Sequence, residues 1–188
     1  MGQYYVAIIL GEAGERREFI RAWISAHSYA CGVKLMEHSY IGNPYMCAVE
    51  WLLSPKGHFW KSRLVWAGDY ADDEADADED GSTSNLHSLT DEEPNKAIAP
   101  NVNDTMGDYP YLVNHTKRQV VDKRNVQADD RGFRIHPLSL LTAEGNGRGG
   151  GDYRGSNEEK VGSWARDVIS VEREVPEGYQ FVEVDFRE

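Results

Sequence analysis

The sequence has few of the residues that build disulfide frameworks or closed zinc sites. Its only cysteines, Cys31 and Cys47, are not arranged in a Cys-x-x-Cys or Cys/His spacing. The longest purely apolar run after Met1, from Val6 to Leu10, is too short for a signal-peptide core or a membrane span. No His-Glu-x-x-His motif occurs, so a metallohydrolase site is not indicated. We therefore expect a protein of a reducing, cytoplasmic compartment that has no membrane partner.

Basic residues are also scarce, and the imbalance is local. The formal net charge is -12, with 32 acidic and 20 basic residues, but the stretch from Asp69 to Glu93 contains eleven of the acids and no Lys or Arg. The rest of the chain is nearly neutral, so the acidity belongs to one segment. No basic stripe that would bind phosphates is visible, and we do not expect nucleic acid as a partner.

Hydrophobic patterning predicts short strands and helices throughout the remainder. The aromatic and β-branched run Tyr4–Leu10 predicts a strand, and Asn43-Pro44 predicts the start of a helix that ends at Leu53. Arg17–Ile24 fits either a strand or a short helix. The other segments predicted to be extended are Gly32–Glu37, Leu64–Trp66, Tyr109–Val113, Gln119–Asp122, Gly132–His136, Trp164–Val171 and Tyr179–Phe186.

The order of these elements suggests a diverged internal duplication. Each half has an aromatic strand, a return strand, a helix opened by Pro44 or Pro137, and a Trp ahead of an apolar strand. Two such ββ(β)αβ units can pair edge to edge. We therefore predict an α+β fold, with a mixed, mostly antiparallel sheet and a few helices on one face. Residues 1–70 and 109–188 would form the two repeats of one compact domain, and residues 71–108 an acidic mobile excursion.

A glycine-rich stretch, NGRGGGDYRG at residues 146–155, is the first candidate site. Its backbone amides could converge on an anion, and its arginines could add bidentate contacts to phosphate or carboxylate. It matches neither the dinucleotide fingerprint nor the Walker pattern, and the alternatives are a flexible connector and close packing of backbone against backbone. The candidate ligand-binding residues are Asn146, Arg148, Gly149, Gly150, Gly151, Asp152 and Arg154.

A second candidate lies in the acidic segment. Asp76, Asp78 and Asp80 occupy the first, third and fifth positions of a calcium-loop pattern, but His87 stands at the twelfth position, where a bidentate Glu is required. The alternative is a solvated acidic loop. We predict no cofactor, and calcium is the one candidate that this pattern offers.

Three residues are candidates for proton transfer. Asp69 follows a predicted strand in WAGDYAD, His38 lies in KLMEHSYIGN, and His115 stands at a predicted hairpin turn. A His, a strand-end Asp and a nearby Arg are parts of general acid–base catalysis or of a nucleotide pocket. Each one alone also fits an ordinary surface or turn residue.

Several blocks of the sequence carry a resemblance. MGQYY, KLMEHSYIGN, WAGDYAD, YLVNHTK and GNGRGGGDYRG…VGSW resemble a loosely defined group of short proteins of unassigned activity from bacteria, phages and large DNA viruses. The likeness covers more than half of the chain and skips the acidic segment. It implies a viral or mobile-element provenance and a virion or host-interaction role, and it supplies no catalytic residues.

Two functional hypotheses follow. The first is a binding protein whose partner is a protein, either a host factor or a virion component. The alternative is a small enzyme or binder of nucleotides or other phosphorylated small molecules that uses the glycine-rich stretch. A third hypothesis is mimicry of nucleic acid by the acidic segment. A single concave pocket formed by the glycine-rich stretch, Asp69 and a histidine would favour the enzyme.

Overall fold

The computed structural model describes residues 3–13, 18–74, 83–91, 95–100, 107–145 and 151–187. Within these residues the chain forms eight strands and four α-helices. In chain order they are β1 (Tyr5–Ala13), β2 (Glu18–Ile24), α1 (Leu35–His38), α2 (Pro44–Leu53), β3 (Ser62–Gly68), α3 (Leu86–Leu89), β4 (Tyr111–Asn114), β5 (Gln119–Asp122), α4 (Pro137–Leu141), β6 (Ala143–Glu144), β7 (Val168–Glu172) and β8 (Gln180–Phe181).

All of these strands join one mixed sheet. Its order is β2-β1-β3-β7-β4-β5-β8, and β6 pairs with β3 beside this path. Neighbouring strands are antiparallel except for β3 with β6 and β5 with β8. The predicted α+β class with a mixed, mostly antiparallel sheet is therefore confirmed.

The helices α2 and α4 pack against one face of the sheet in the larger of two apolar clusters. Helix α2 begins as its sequence predicts, because the Asn43 side chain accepts hydrogen bonds from two N–H groups of the first turn and Pro44 occupies the first helical position. The opposite face carries a smaller cluster around Ile8 and Val65, which Leu86 of α3 covers. The core thus lies on both faces of β1 and β3.

The strand order has a symmetry that bears on the predicted duplication. The first half contributes β2-β1-β3 and the second half β5-β4-β7, and the two sets meet where β3 pairs with β7. A duplication would produce this order, but the duplication itself stays a prediction.

Three predicted strands were wrong in part. Gly32–Glu37 was predicted to be extended throughout, but it turns into α1 at Leu35, because the Glu37 carboxylate accepts the Lys34 N–H and closes the first helical turn. The strand predicted for Trp164–Val171 starts only at Val168, since Arg166 adopts a left-handed backbone with φ of 63°.

The third is the C-terminal strand. Tyr179–Phe186 was predicted as one edge strand, but only Gln180–Phe181 pairs with a neighbour. Beyond it, side chains replace a strand as hydrogen-bond partners: Asn157 Nδ2 donates to the carbonyl of Asp185 at 2.7 Å, and Lys160 Nζ donates to that of Glu183 at 2.5 Å.

The described parts of the segment between β3 and β4 contact the sheet. Leu86 is buried in the smaller cluster, Lys96 forms a bridge with Trp23 of β2, and the backbone N–H of buried Ala99 donates to the Tyr29 hydroxyl at 2.8 Å.

None of the helices in the described ranges combines the length and apolar character that a membrane crossing requires.

Candidate functional site

The glycine-rich stretch starts at the end of the sheet where the parallel strands β3 and β6 finish and β1 begins. Asp69, directly after β3, exchanges hydrogen bonds with Tyr4: the Tyr4 N–H donates to Asp69 Oδ1 and the Asp69 N–H to the Tyr4 carbonyl, both at 3.0 Å. Glu144 ends β6, and Gly145 follows it. Loops at the carboxyl ends of adjacent parallel strands are common positions for binding sites.

A buried pair of side chains, Gln3 and Tyr5, packs against Gly145, which precedes the glycine-rich stretch, and against Gly151 within it. The Tyr5 hydroxyl donates to Gln3 Oε1 at 2.8 Å. A Cβ on Gly145 would lie 2.5 Å from Gln3 Nε2 and 2.6 Å from the Tyr5 hydroxyl, and one on Gly151 would lie 2.6 Å from the Tyr5 ring. Both glycines are therefore required by close packing, whatever the stretch between them binds.

Two carboxylates, Asp69 and Asp152, flank the Gln3–Tyr5 pair, and one oxygen of each accepts a hydrogen bond from a backbone N–H. Asp69 Oδ1 holds the Tyr4 N–H, and Asp152 Oδ1 accepts the Met36 N–H of α1 at 3.0 Å. Burial raises the pKa of the Tyr5 phenol, and the negative charges of Asp152 and Asp69 raise it further. Tyr5 is thus a neutral hydrogen-bonding group at this position and not a nucleophile.

The amide of Gln3 is incompletely bonded. The side chain is only 6% exposed, and within the described parts of the chain Gln3 Nε2 has no hydrogen-bond acceptor. An unsatisfied buried donor costs about 1–3 kcal/mol, so natural proteins rarely keep one without a use. The Nε2 atom is itself enclosed, because the backbones of Gly68 and Gly145 both pack against it.

A cleft of about 630 Å³ lies next to Glu144 and Gly145, which precede the glycine-rich stretch. Arg166 is its central group: the guanidinium contacts Glu144 at 2.6 Å and Glu74 at 2.6 Å. Burial alone would lower the pKa of Arg166, but the hydrogen bonds and charges of Glu144 and Glu74 outweigh burial and raise the pKa above its usual value. Asp72 and Asp73 also line the cleft, so one arginine faces four acids.

We name this surface the acidic end. It consists of the acids that surround the glycine-rich stretch and its cleft: Asp69, Asp72, Asp73, Glu74, Glu144 and Asp152.

The predicted ligand-binding residues are only partly within the described ranges. Asp152 fastens the glycine-rich stretch to α1, and Arg154 donates to the carbonyls of Gly151 and Tyr153 at 2.8 and 2.6 Å. Asn146, Arg148, Gly149 and Gly150 lie outside the described residues, as do the predicted calcium ligands Asp76, Asp78 and Asp80. In the ranges that are described, no three His, Cys, Asp or Glu side chains group as metal ligands would.

His38 lies beneath the acidic end as a core residue. Its ring is fully buried, Nδ1 contacts the Gly32 carbonyl at 2.9 Å, and Nε2 accepts the Trp66 indole N–H at 2.9 Å. Since the indole can only donate, the proton of the neutral ring sits on Nδ1. Burial lowers the pKa of His38 to about 4. The ring thus shares an end of the sheet with Asp69 but presents no free nitrogen to a substrate.

His115 lies at the other end of β3, apart from these groups. Its Nε2 is 2.7 Å from Ser170 Oγ and its Nδ1 is 3.0 Å from the Tyr179 hydroxyl. Ser170 is fully buried and donates its single proton to Glu172 at 2.6 Å, so His115 Nε2–H is the donor to Ser170. In a nucleophilic triad the histidine accepts the serine proton. Here the histidine donates to the serine, so the proton transfer of a nucleophilic triad is not set up.

A third cluster of ionisable groups is closed to solvent. Glu50 of α2 binds Lys123 and accepts a hydrogen bond from His136 Nε2 at 3.0 Å, and all three side chains are buried. His136 Nδ1 accepts the N–H of Leu138, so it also caps α4. The cluster ties two helices to the end of β5 and has a structural role.

Sequence reasoning did not identify Gln3, Tyr5, Glu144 or Arg166. Two signals were available: Gln3 is a polar residue just ahead of a wholly apolar strand, and Glu144 immediately precedes the glycines. Arg166 gave no signal, because only the fold brings it to Glu74, which is 92 residues away in the chain.

Comparisons with protein-family models, with curated proteins and with solved structures yield no match to this chain. Its function therefore has to be argued from the geometry of these sites.

Proposed function

We propose that this protein is a binding protein that recognises a basic segment of another protein at the acidic end. The supporting observation is the arrangement around the Gln3–Tyr5 pair. Asp69 and Asp152 each use one oxygen to hold a backbone N–H, and within the described parts of the chain the other oxygen of each has no hydrogen-bond donor. A basic peptide supplies the complement, a Lys or Arg cation for these carboxylates.

The charge of the acidic end favours this partner over a phosphorylated ligand. Arg166 is already bound to two carboxylates, and Arg154 donates to two backbone carbonyls. A phosphate at this position would be repelled by the charges of Asp69 and Asp152. The resemblance to phage and virus proteins, with a cytoplasmic or virion location, is compatible with a host-factor or virion partner.

The test measures binding of a fluorescein-labelled, Lys/Arg-rich peptide by fluorescence anisotropy. The double variant Asp69→Asn/Asp152→Asn removes two charges but keeps the Oδ1 acceptors for Tyr4 and Met36. A hydrogen bond to a charged group contributes about 1.5–3 kcal/mol, so we expect at least about tenfold weaker binding. The matched control is Glu174→Gln/Glu177→Gln, which changes the net charge equally on exposed residues that follow β7.

The proposal fails if the wild-type protein does not bind the peptide at low ionic strength, or if the control pair weakens binding as much as the test pair. A nucleotide panel in a thermal-shift assay examines the alternative function. A nucleotide that raises the unfolding temperature in wild type, with no peptide binding, would replace our proposal with the phosphorylated-ligand function.

A further inference from the structure

The second half of the sheet has a face that no described helix covers. On the helix-bearing face, Leu112, Val121 and Ile169 point into the larger core cluster. Because side chains alternate along a strand, the paired residues Val113 and Val120 point to the opposite face, and both are fully buried. Something other than a helix therefore shields them from water.

Aromatic side chains occupy this opposite face. Tyr111 belongs to it by strand alternation, and its ring centroid is 6.2 Å from that of Phe181, which pairs with Val120. Trp60 and Phe181 are 44% and 60% exposed, which is unusual for side chains of this size. We call this surface the aromatic face, and its members are Trp60, Tyr111, Tyr179 and Phe181.

The hydrogen-bond chain through His115 holds two of these rings in place. Tyr179 bonds to His115, His115 to Ser170, and Ser170 to Glu172. Glu172 also accepts the Trp60 indole N–H at 2.7 Å. The rings at the two ends of this chain are therefore ordered before any ligand arrives, which reduces the entropy cost of binding.

Cations lie over three of the rings. Lys61 Nζ is 4.2 Å from the centroid of Trp60, and the guanidinium carbon of Arg118 is 5.5 Å from that of Tyr179. Arg124 stacks 5.0 Å from the Tyr111 ring and is paired with Asp122. Lys61 and Arg118 are exposed, and in the described parts of the chain neither has a carboxylate within ion-pair distance. Each has a positive φ of 55°, in a turn that directs the side chain over its ring.

We propose that the aromatic face binds single-stranded nucleic acid. Exposed rings on a sheet accept stacked bases, and the two unpaired cations are placed to contact the phosphates between them. An acidic peptide would use the cations but has no need of the rings, and an apolar protein surface would use the rings but would bury unpaired charges.

A neighbouring groove of about 810 Å³ begins at Phe181 but does not extend this surface. Besides the amides of Asn125, Gln127 and Asn157 and the ammonium of Lys160, its lining includes the carboxylates of Asp122, Glu183 and Asp185. Three carboxylates repel phosphates, so we expect the bound strand to stay on the aromatic face.

The acidity of the whole chain does not prevent this interaction. The acidic end begins after Gly68, and Lys61 precedes β3 at its opposite end. Seven strand residues span about 23 Å, which is more than twice the Debye length of about 8 Å at physiological ionic strength. Water and salt therefore largely screen the charges of the acidic end from the aromatic face.

The test uses a fluorescein-labelled 12-nucleotide oligothymidine in fluorescence anisotropy, in a salt series that ends at physiological ionic strength, where the acidic end is screened. Phe181→Ala removes the most exposed ring and should weaken binding about tenfold. The matched control is Tyr70→Ala, which removes a 47% exposed ring at the acidic end and should leave the affinity unchanged. Lys61→Ala/Arg118→Ala should reduce the slope of log affinity against log salt by about 1.4, which corresponds to two phosphate contacts.

Several results would overturn the inference. One is the absence of oligothymidine binding by the wild-type protein, and another is an equal loss for Tyr70→Ala and Phe181→Ala. Equal affinity for the corresponding duplex would show attraction to phosphates without base stacking. Displacement of the oligonucleotide by equimolar poly-glutamate would identify an acidic-protein site instead. Thermal unfolding of Phe181→Ala within about 4 °C of wild type would show that a lost affinity is not a lost fold.

Discussion

Replacing Lys123 by methionine tests the buried cluster that joins α2, α4 and the end of β5. Lys123 is fully buried and binds Glu50, which also accepts a hydrogen bond from His136. Methionine has a similar length and no charge, so it fills the space but leaves the Glu50 carboxylate without its cation. Breaking a buried ion pair on one side costs about 3–5 kcal/mol, which corresponds to a fall in unfolding temperature of roughly 6–20 °C for a chain of this size.

The pH dependence of stability should change sign in this variant. In the wild type, Lys123 and His136 hold the pKa of Glu50 below its usual value, despite burial. The stability that this ionisation contributes is present above the unfolded pKa of Glu50 and is lost as the pH falls through the folded value. Without Lys123, burial raises the pKa of Glu50. The variant then takes up a proton on folding and should recover part of its stability between pH 7 and pH 5.

Urea unfolding followed by circular dichroism measures both effects. Lys56→Met, on an exposed lysine, should change the free energy of unfolding by less than about 0.5 kcal/mol. The double variant Glu50→Gln/Lys123→Met removes both charges and keeps an acceptor for His136, so it should be more stable than the single variant. A loss below about 1 kcal/mol in Lys123→Met, or a double variant as unstable as the single one, would refute the reasoning.

Two further predictions concern the acidic end. His38 should titrate near pH 4 in NMR spectra, since burial lowers its pKa from the unfolded value of 6.5. The free energy of unfolding should therefore fall by up to about 3 kcal/mol as the pH decreases from 6.5 to 4. A measured pKa near 6.5 would contradict the hydrogen bond from Trp66. Gly145→Ala should destabilise the protein by about 1–3 kcal/mol in urea unfolding, because the added Cβ would meet Gln3 and Tyr5. In the control Gly107→Ala the added Cβ enters open space, so the stability should change by less than about 0.5 kcal/mol. Equal effects of the two variants would show that Gly145 is not required by close packing.

Most strands and helices could be predicted because their formation depends on residues that are close together in the sequence. Aromatic and β-branched runs and turn residues identified β1, β4 and β5, and the Asn43-Pro44 pair marked the start of α2. The errors arose where side chains override the local pattern. Glu37 closes a helical turn inside an apparently extended segment, and Asn157 and Lys160 hold the C-terminal backbone without a partner strand.

The sites were less predictable because they depend on contacts between distant parts of the chain. The sequence drew attention to Asp69, Asp152 and the glycines, and the fold brings them together around Tyr5. It gave no sign that His38 would be closed off by Trp66. It also could not indicate the aromatic face, whose rings come from three separate stretches of the chain and are juxtaposed only by strand pairing.

The separation of the two surfaces explains why net charge is a poor guide to the partners of this protein. The electrostatic potential of each surface acts on a ligand only within about a Debye length. At physiological salt, the strand β3 between the two surfaces is longer than that distance. Occupation of one surface should therefore change the affinity of the other very little. At low ionic strength the screening length grows to about 30 Å at 0.01 M, and the two ends should then become coupled. A basic peptide at the acidic end would in that case strengthen oligonucleotide binding, because it neutralises the acids that otherwise repel the phosphates.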